Sequence, residues 1–63
     1  MMQDTDDTRF ELCRELRTVA ELHKDNGNVE YAKALLNAGA ECFHGVGDIE
    51  DYARILGKAE EAL

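Results

Sequence analysis

Apolar residues recur along this chain with the period of an amphipathic helix, in three separate blocks. In the middle block, Val29–Phe43, the residues Ala32, Leu35, Leu36, Gly39, Cys42 and Phe43 gather into one broad stripe. Glu30, Lys33, Asn37 and Glu41 fall largely outside it. The stripe is bulky at its edges (Leu35, Leu36, Phe43) and nearly flat along its middle (Ala32, Gly39). A flat helix surface lets another backbone come close, so the pattern predicts the central helix of a bundle. Gly39 costs about 1 kcal/mol relative to alanine inside a helix. The apolar period nevertheless continues unbroken through Cys42 and Phe43, which favours a packing role over a break.

The first block places Leu12, Leu16, Val19, Ala20 and His23 on one face, with Cys13 beside them and Phe10 and Leu22 on opposite flanks. That width predicts contact with more than one neighbour. Thr8 and Glu11 have capping-box spacing, so the first helix is expected over about 8–25 or from slightly earlier. Before it, Met1–Asp7 is polar and expected to fray, with Asp4, Asp6 and Asp7 placed to favour the helix dipole. Asp25–Asn28 is a turn: Gly27 suits the left-handed conformation that closes a helix, and Asn28 suits the cap of the next. So short a connection makes the first two helices an antiparallel αα-hairpin. His44–Gly47 reads as a flexible turn, followed by Asp48 as a cap with Asp51 three residues on. The third block carries Ile49, Tyr52, Leu56, Ala59 and Leu63, an a/d seam of two heptads. No segment alternates with period 2. Residues 1–63 therefore read as a single small helical domain, all-α, with helices at about 8–25, 29–43 and 49–62: an αα-hairpin plus a third, C-terminal helix.

Chain length adds a second expectation. For 63 residues, apolar burial contributes roughly 90 kcal/mol, and ordering the chain costs nearly as much. A balance so near zero predicts a further source of stability, and the two cysteines, Cys13 and Cys42, have no framework spacing. The expected source is a second copy, giving a helical bundle as a homodimer. The candidate oligomer interface is Ala32, Leu36, Gly39, Phe43, Ile49, Tyr52, Leu56 and Leu63, on the second helix and the third-helix seam. The sequence has no proline and no apolar run long enough for a membrane span; no signal peptide is expected, and reduced cysteines fit a cytoplasmic setting.

The formal net charge of −7 opposes long-range attraction to nucleic acid or an anionic membrane. An acidic start, Asp4–Asp7, lacks the glycine that a calcium loop needs, because Arg9 occupies that position. Cys42 and His44 have a single residue between them, without the second ligand pair of a zinc site, so no metal is expected. There is no serine, hence no serine triad, and adjacent carboxylates such as Glu50/Asp51 and Glu60/Glu61 point in different directions on a helix. Gly45-Val46-Gly47 follows no strand and precedes no lysine, so no phosphate-binding cofactor site is read. The chain is expected not to be an enzyme, with no catalytic or cofactor-binding residues. The alternative reading is a small RNA- or DNA-binding helical dimer using Arg14, Arg17 and Lys24 across a two-fold axis.

The Thr8–Glu11 box, the Asp25–Asn28 turn and the terminal Lys58–Leu63 (KAEEAL) sit in a short, acidic, serine-free helical chain. In this the chain resembles the small early-region proteins of lambdoid bacteriophages, encoded between the exonuclease and excisionase genes. The resemblance implies a non-enzymatic regulatory module in the bacterial host cytoplasm. Such a module would bind itself and a host protein, and modulate host physiology or the lysis–lysogeny decision. The chain is also similar to the plasmid copy-control RNA-binding protein, a dimer of two-helix hairpins. It departs from that pattern in the His44–Gly47 turn and the third helix.

Overall fold

A computed structural model describes the backbone of residues 5–63 and the side chains of residues 8–63. The expectations for residues 1–4, Asp4 included, lie outside the described residues, as do those for the Asp6 and Asp7 side chains. The described residues form three α-helices and no strand: α1 Thr5–Asp25, α2 Val29–Phe43 and α3 Ile49–Glu61. Thr8 lies within α1 and does not cap it, because the helix begins one turn earlier.

Both helix ends that face a turn close in the same way. Gly27, at φ +92°, lets the Gly27 N–H donate to the Lys24 carbonyl and the Asn28 N–H to the His23 carbonyl. Gly45, at φ +82°, repeats the arrangement with Cys42 and Glu41 as the acceptors. These are Schellman closures, which satisfy carbonyls that the helix itself leaves without donors. The caps that follow differ from expectation. Neither Asn28 nor Asp48 makes a side-chain cap hydrogen bond. The Asn28 amide instead reaches back to His23 Nδ1 at 3.2 Å, and Asp51 pairs with Arg54 at 3.2 Å on the exposed side of α3.

α1 and α2 pack as the antiparallel hairpin, and α3 lies against one side of it, chiefly on α1. The core is the stripe of α1 (Leu12, Leu16, Val19, Ala20), that of α2 (Ala32, Leu35, Ala38, Cys42) and Tyr52, Leu56 and Ala59 of α3. The close approach centres on Gly39. A Cβ there would sit 3.6 Å from Leu16 Cβ and 3.7 Å from the Cys13 carbonyl oxygen. The flat middle of the α2 stripe is therefore filled by α1 of the same chain.

The α2–α3 turn is held rather than loose. Arg9 of α1 donates from Nη1 to the Cys42 carbonyl and from Nη2 to the Gly47 carbonyl, each at 3.0 Å. The Tyr52 hydroxyl donates to the Val46 carbonyl. Gly47 has φ +78°, and a Cβ there would lie 2.9 Å from the Tyr52 hydroxyl. One guanidinium and one phenol thus fix the direction in which α3 leaves the hairpin. Sequence periodicity carries no sign of either contact, because each joins a side chain to a backbone carbonyl in another element.

Candidate functional site

The expected interface divides into two groups. Ala32, Gly39, Tyr52 and Leu56 are buried inside the single chain. Ile49 is half-buried against the core. Leu36, Phe43 and Leu63 remain exposed, at 43%, 57% and 51%. In the single chain the eight do not share one open face. The α3 seam closes on its own hairpin, and Leu63 lies beyond the end of α3 at Glu61.

The exposed members belong to a different face. With α3 on one side of the hairpin, the opposite side of α1 and α2 is uncovered. Two adjoining shallow grooves run along it, of about 560 and 370 Å³. Phe10, Cys13 and Arg17 line them from α1, and Leu36, Ala40 and Phe43 from α2. At one end the Phe10 and Phe43 rings tilt together with centroids 5.6 Å apart, yet each residue stays more than half exposed. The middle is low, formed by Cys13, Gly39 and Ala40. Arg17 and Leu36 form the other end. Two large aromatic side chains in one open groove are more than the scattered apolar residues of an ordinary surface. Phe10 and Cys13 were visible in the sequence only as the unusual width of the α1 stripe, and Ala40 gave no signal.

Charge marks the same face. In a chain of net charge −7, the described residues that line the grooves include one carboxylate, Glu11, and two guanidinium groups, Arg14 and Arg17. Arg14 pairs with Glu11 at 3.6 Å, both side chains well exposed, an ion pair of at most about 1 kcal/mol. Lys24, expected beside Arg14 and Arg17 for nucleic-acid binding, does not line the grooves.

Two of the groups that chemistry could use, His23 and Cys42, are tied up in the core. His23 is fully buried. Its Nε2 lies 2.9 Å from the Ala59 carbonyl; a carbonyl can only accept, so this nitrogen carries the proton, and Nδ1 faces the Asn28 amide. The Tyr31 ring lies edge-on, 4.6 Å away. Both ring nitrogens are thus engaged in holding α3 and the α1–α2 turn. Cys42 is fully buried, and its thiol points to the Arg9 carbonyl at 3.8 Å. Burial, followed by the neighbouring Cys42 thiol, pushes the Cys13 thiol up to about 11, the reverse of what a nucleophilic cysteine requires. Burial, with the Glu41 carboxylate next in effect, also raises the Tyr52 phenol above its ordinary value.

Among the described residues no three or more His, Cys, Asp or Glu side chains are grouped to hold a metal ion, and every buried side-chain nitrogen or oxygen has a hydrogen-bond partner. No described helix is long and apolar enough to cross a membrane.

No curated protein and no solved structure matches the chain. A family model does match, over residues 1–63: the chain belongs to the family described as Domain of unknown function (DUF7273).

Proposed function

We propose that this protein is a non-enzymatic interaction module that works through the uncovered α1–α2 face. The observation that carries the reading is the exposed Phe10–Phe43 pair, continuous with Leu36 along one groove. The buried histidine, by contrast, is committed to internal hydrogen bonds. Large aromatic side chains beside arginine are residue types enriched in interaction hot spots. The resemblance to small phage early-region proteins supports a setting in the bacterial cytoplasm, where such a module regulates by contact with itself or a host protein.

The test compares the wild-type chain with Phe43→Asp, whose exposed position leaves the core intact. Helix content by circular dichroism establishes that the variant is folded. Self-association, or retention of a bacterial protein identified by mass spectrometry, that is lost in Phe43→Asp supports the reading. Absence of both from the wild type overturns it. A gel shift of RNA or DNA that weakens steeply with salt, survives Phe43→Asp and is lost in Arg17→Ala would favour the nucleic-acid alternative instead.

A further inference from the structure

Cys13 and Cys42 are distant in sequence, and the hairpin sets them face to face. In an antiparallel helix pair, a step forward on α2 is matched by an equal step back on α1. At the closest approach Gly39 faces Leu16, and a Cβ on residue 39 would lie 3.6 Å from Leu16 Cβ. Disulfide-bonded residues have Cβ atoms about 3.8 Å apart, so the two helices come as near as such a bridge requires. Three residues on along α2 and three back along α1, the same register sets Cys42 opposite Cys13. Cys42 Sγ agrees with that placement. It lies 3.8 Å from the Arg9 carbonyl oxygen, the acceptor that an α-helix gives to the Cys13 N–H. After burial, the Cys42 thiol is also the next cause of the raised pKa of Cys13. Both thiols are free, but they differ in access: Cys13 lines both grooves of the open face, and Cys42 is fully buried behind it.

We infer that Cys13 and Cys42 are a reversible redox pair, which a small-molecule disulfide converts from two thiols into a bridge joining α1 to α2 beneath the open face. Cys13 gives its proton to solvent, and its thiolate attacks one sulfur of the small disulfide, whose S–S bond breaks to release one thiolate. Cys42 then gives up its proton, and its sulfur displaces the second small thiolate from Cys13. The two protons end on the two released thiols; the small disulfide is reduced and the cysteine pair oxidised. Access fixes this order, since only Cys13 is reached from outside. With the Cys13 thiol held up to about 11, little thiolate exists at pH 7, so exchange is slow there and quickens as the pH rises. The bridge closes the loop of residues 14–41 on a geometry that the fold has already set, and is expected to raise the folding constant roughly 100-fold or more. By linkage, the folded chain holds the bridge against reduction better than the unfolded chain by the same factor. This inference is independent of the interaction reading, because none of its readouts involves a partner.

The test incubates the full chain, natively folded at pH 8, with oxidised glutathione. The expected product is lighter than the reduced chain by two hydrogens, and its unreduced digest contains a peptide pair linked through Cys13 and Cys42. Dithiothreitol is expected to restore the reduced mass. In buffers of graded reduced-to-oxidised glutathione, the bridge is expected to survive roughly 100-fold more reducing conditions in the native chain than in concentrated urea. Cys42→Ala is expected to stop at one glutathione on Cys13, and Cys13→Ala to stay unmodified, with circular dichroism establishing that each is folded.

A wild-type chain that stays unmodified, or stops at the glutathione adduct, overturns the pair; so do bridges between chains in place of one within a chain. These wild-type outcomes decide the inference whether or not the variants fold. Equal persistence of the bridge in native buffer and in urea overturns the geometric argument, because the fold then does nothing to hold the sulfurs together. A glutathione adduct on Cys42 in folded Cys13→Ala overturns the order of attack.

Discussion

Replacing Gly47 by alanine is the sharpest test of what holds α3 in place. Two costs arise at this position. The backbone is at φ +78°, where an L-residue is disfavoured by about 1–2 kcal/mol. The added Cβ would also lie 2.9 Å from the Tyr52 hydroxyl and 3.3 Å from two carbons of its ring. Tyr52 is buried, so the ring must shift and its hydroxyl must leave the Val46 carbonyl. Losing this part-buried hydrogen bond costs about 0.5–1.5 kcal/mol. The two costs sum to an expected destabilisation of about 1.5–3.5 kcal/mol, a large share of the stability of a domain this small.

Gly45→Ala is the matched control, because φ is +82° there and the new Cβ meets nothing within 4 Å. Only the backbone cost of about 1–2 kcal/mol applies to it. Urea unfolding followed by far-UV circular dichroism gives both values, at one fixed protein concentration so that any self-association contributes equally. In a Tyr52→Phe background the hydroxyl is gone, and Gly47→Ala is expected to approach the Gly45→Ala value. Equal costs for Gly47→Ala and Gly45→Ala in the parent chain would refute the reasoning, since the Tyr52 contact would then place no demand on residue 47.

Gly39→Ala should be tolerated or stabilising, by up to about 1 kcal/mol of helix propensity, because its Cβ makes only ordinary contacts with Leu16 and Cys13; Gly39→Leu should cost about 1–3 kcal/mol, since the larger side chain has to part α1 from α2, and thermal melts of both measure it. Arg9→Lys should lose about 1–3 kcal/mol in urea unfolding, because a single ammonium does not reproduce the fork that reaches the Cys42 and Gly47 carbonyls together. Cys13 should be alkylated by iodoacetamide far more slowly at pH 8 than a free cysteine, with a rate that climbs toward pH 11, since its thiol is held up to about 11 from 9.0. The folded state keeps the Cys13 proton more tightly than the unfolded chain, so this contribution to stability is present below pH 9 and is lost as the pH rises toward 11.

The sequence by itself determined the helical character of this protein, because that character is local. Apolar spacing marks which residues share a helix face, and a glycine in the left-handed conformation marks where a helix closes. Gly27 and Gly45 both close helices in the structure. The Thr8 box matched a local pattern too, but a helix extended upstream by one more turn makes the same residues interior. Tertiary structure alone decided which stripe meets which. The α2 stripe and the α3 seam are both apolar, and periodicity is blind to whether a stripe is covered by its own chain or by another. Packing covers Tyr52 and Leu56 in cis and leaves Phe10, Leu36 and Phe43 uncovered. The fastenings that fix this choice span 33, 38 and 36 residues: Arg9 to the Cys42 and Gly47 carbonyls, and His23 to that of Ala59. Each acceptor is a backbone carbonyl, which every residue has, so no side-chain pattern announces it. Such a bond exists only once the helices have packed and brought donor and acceptor together.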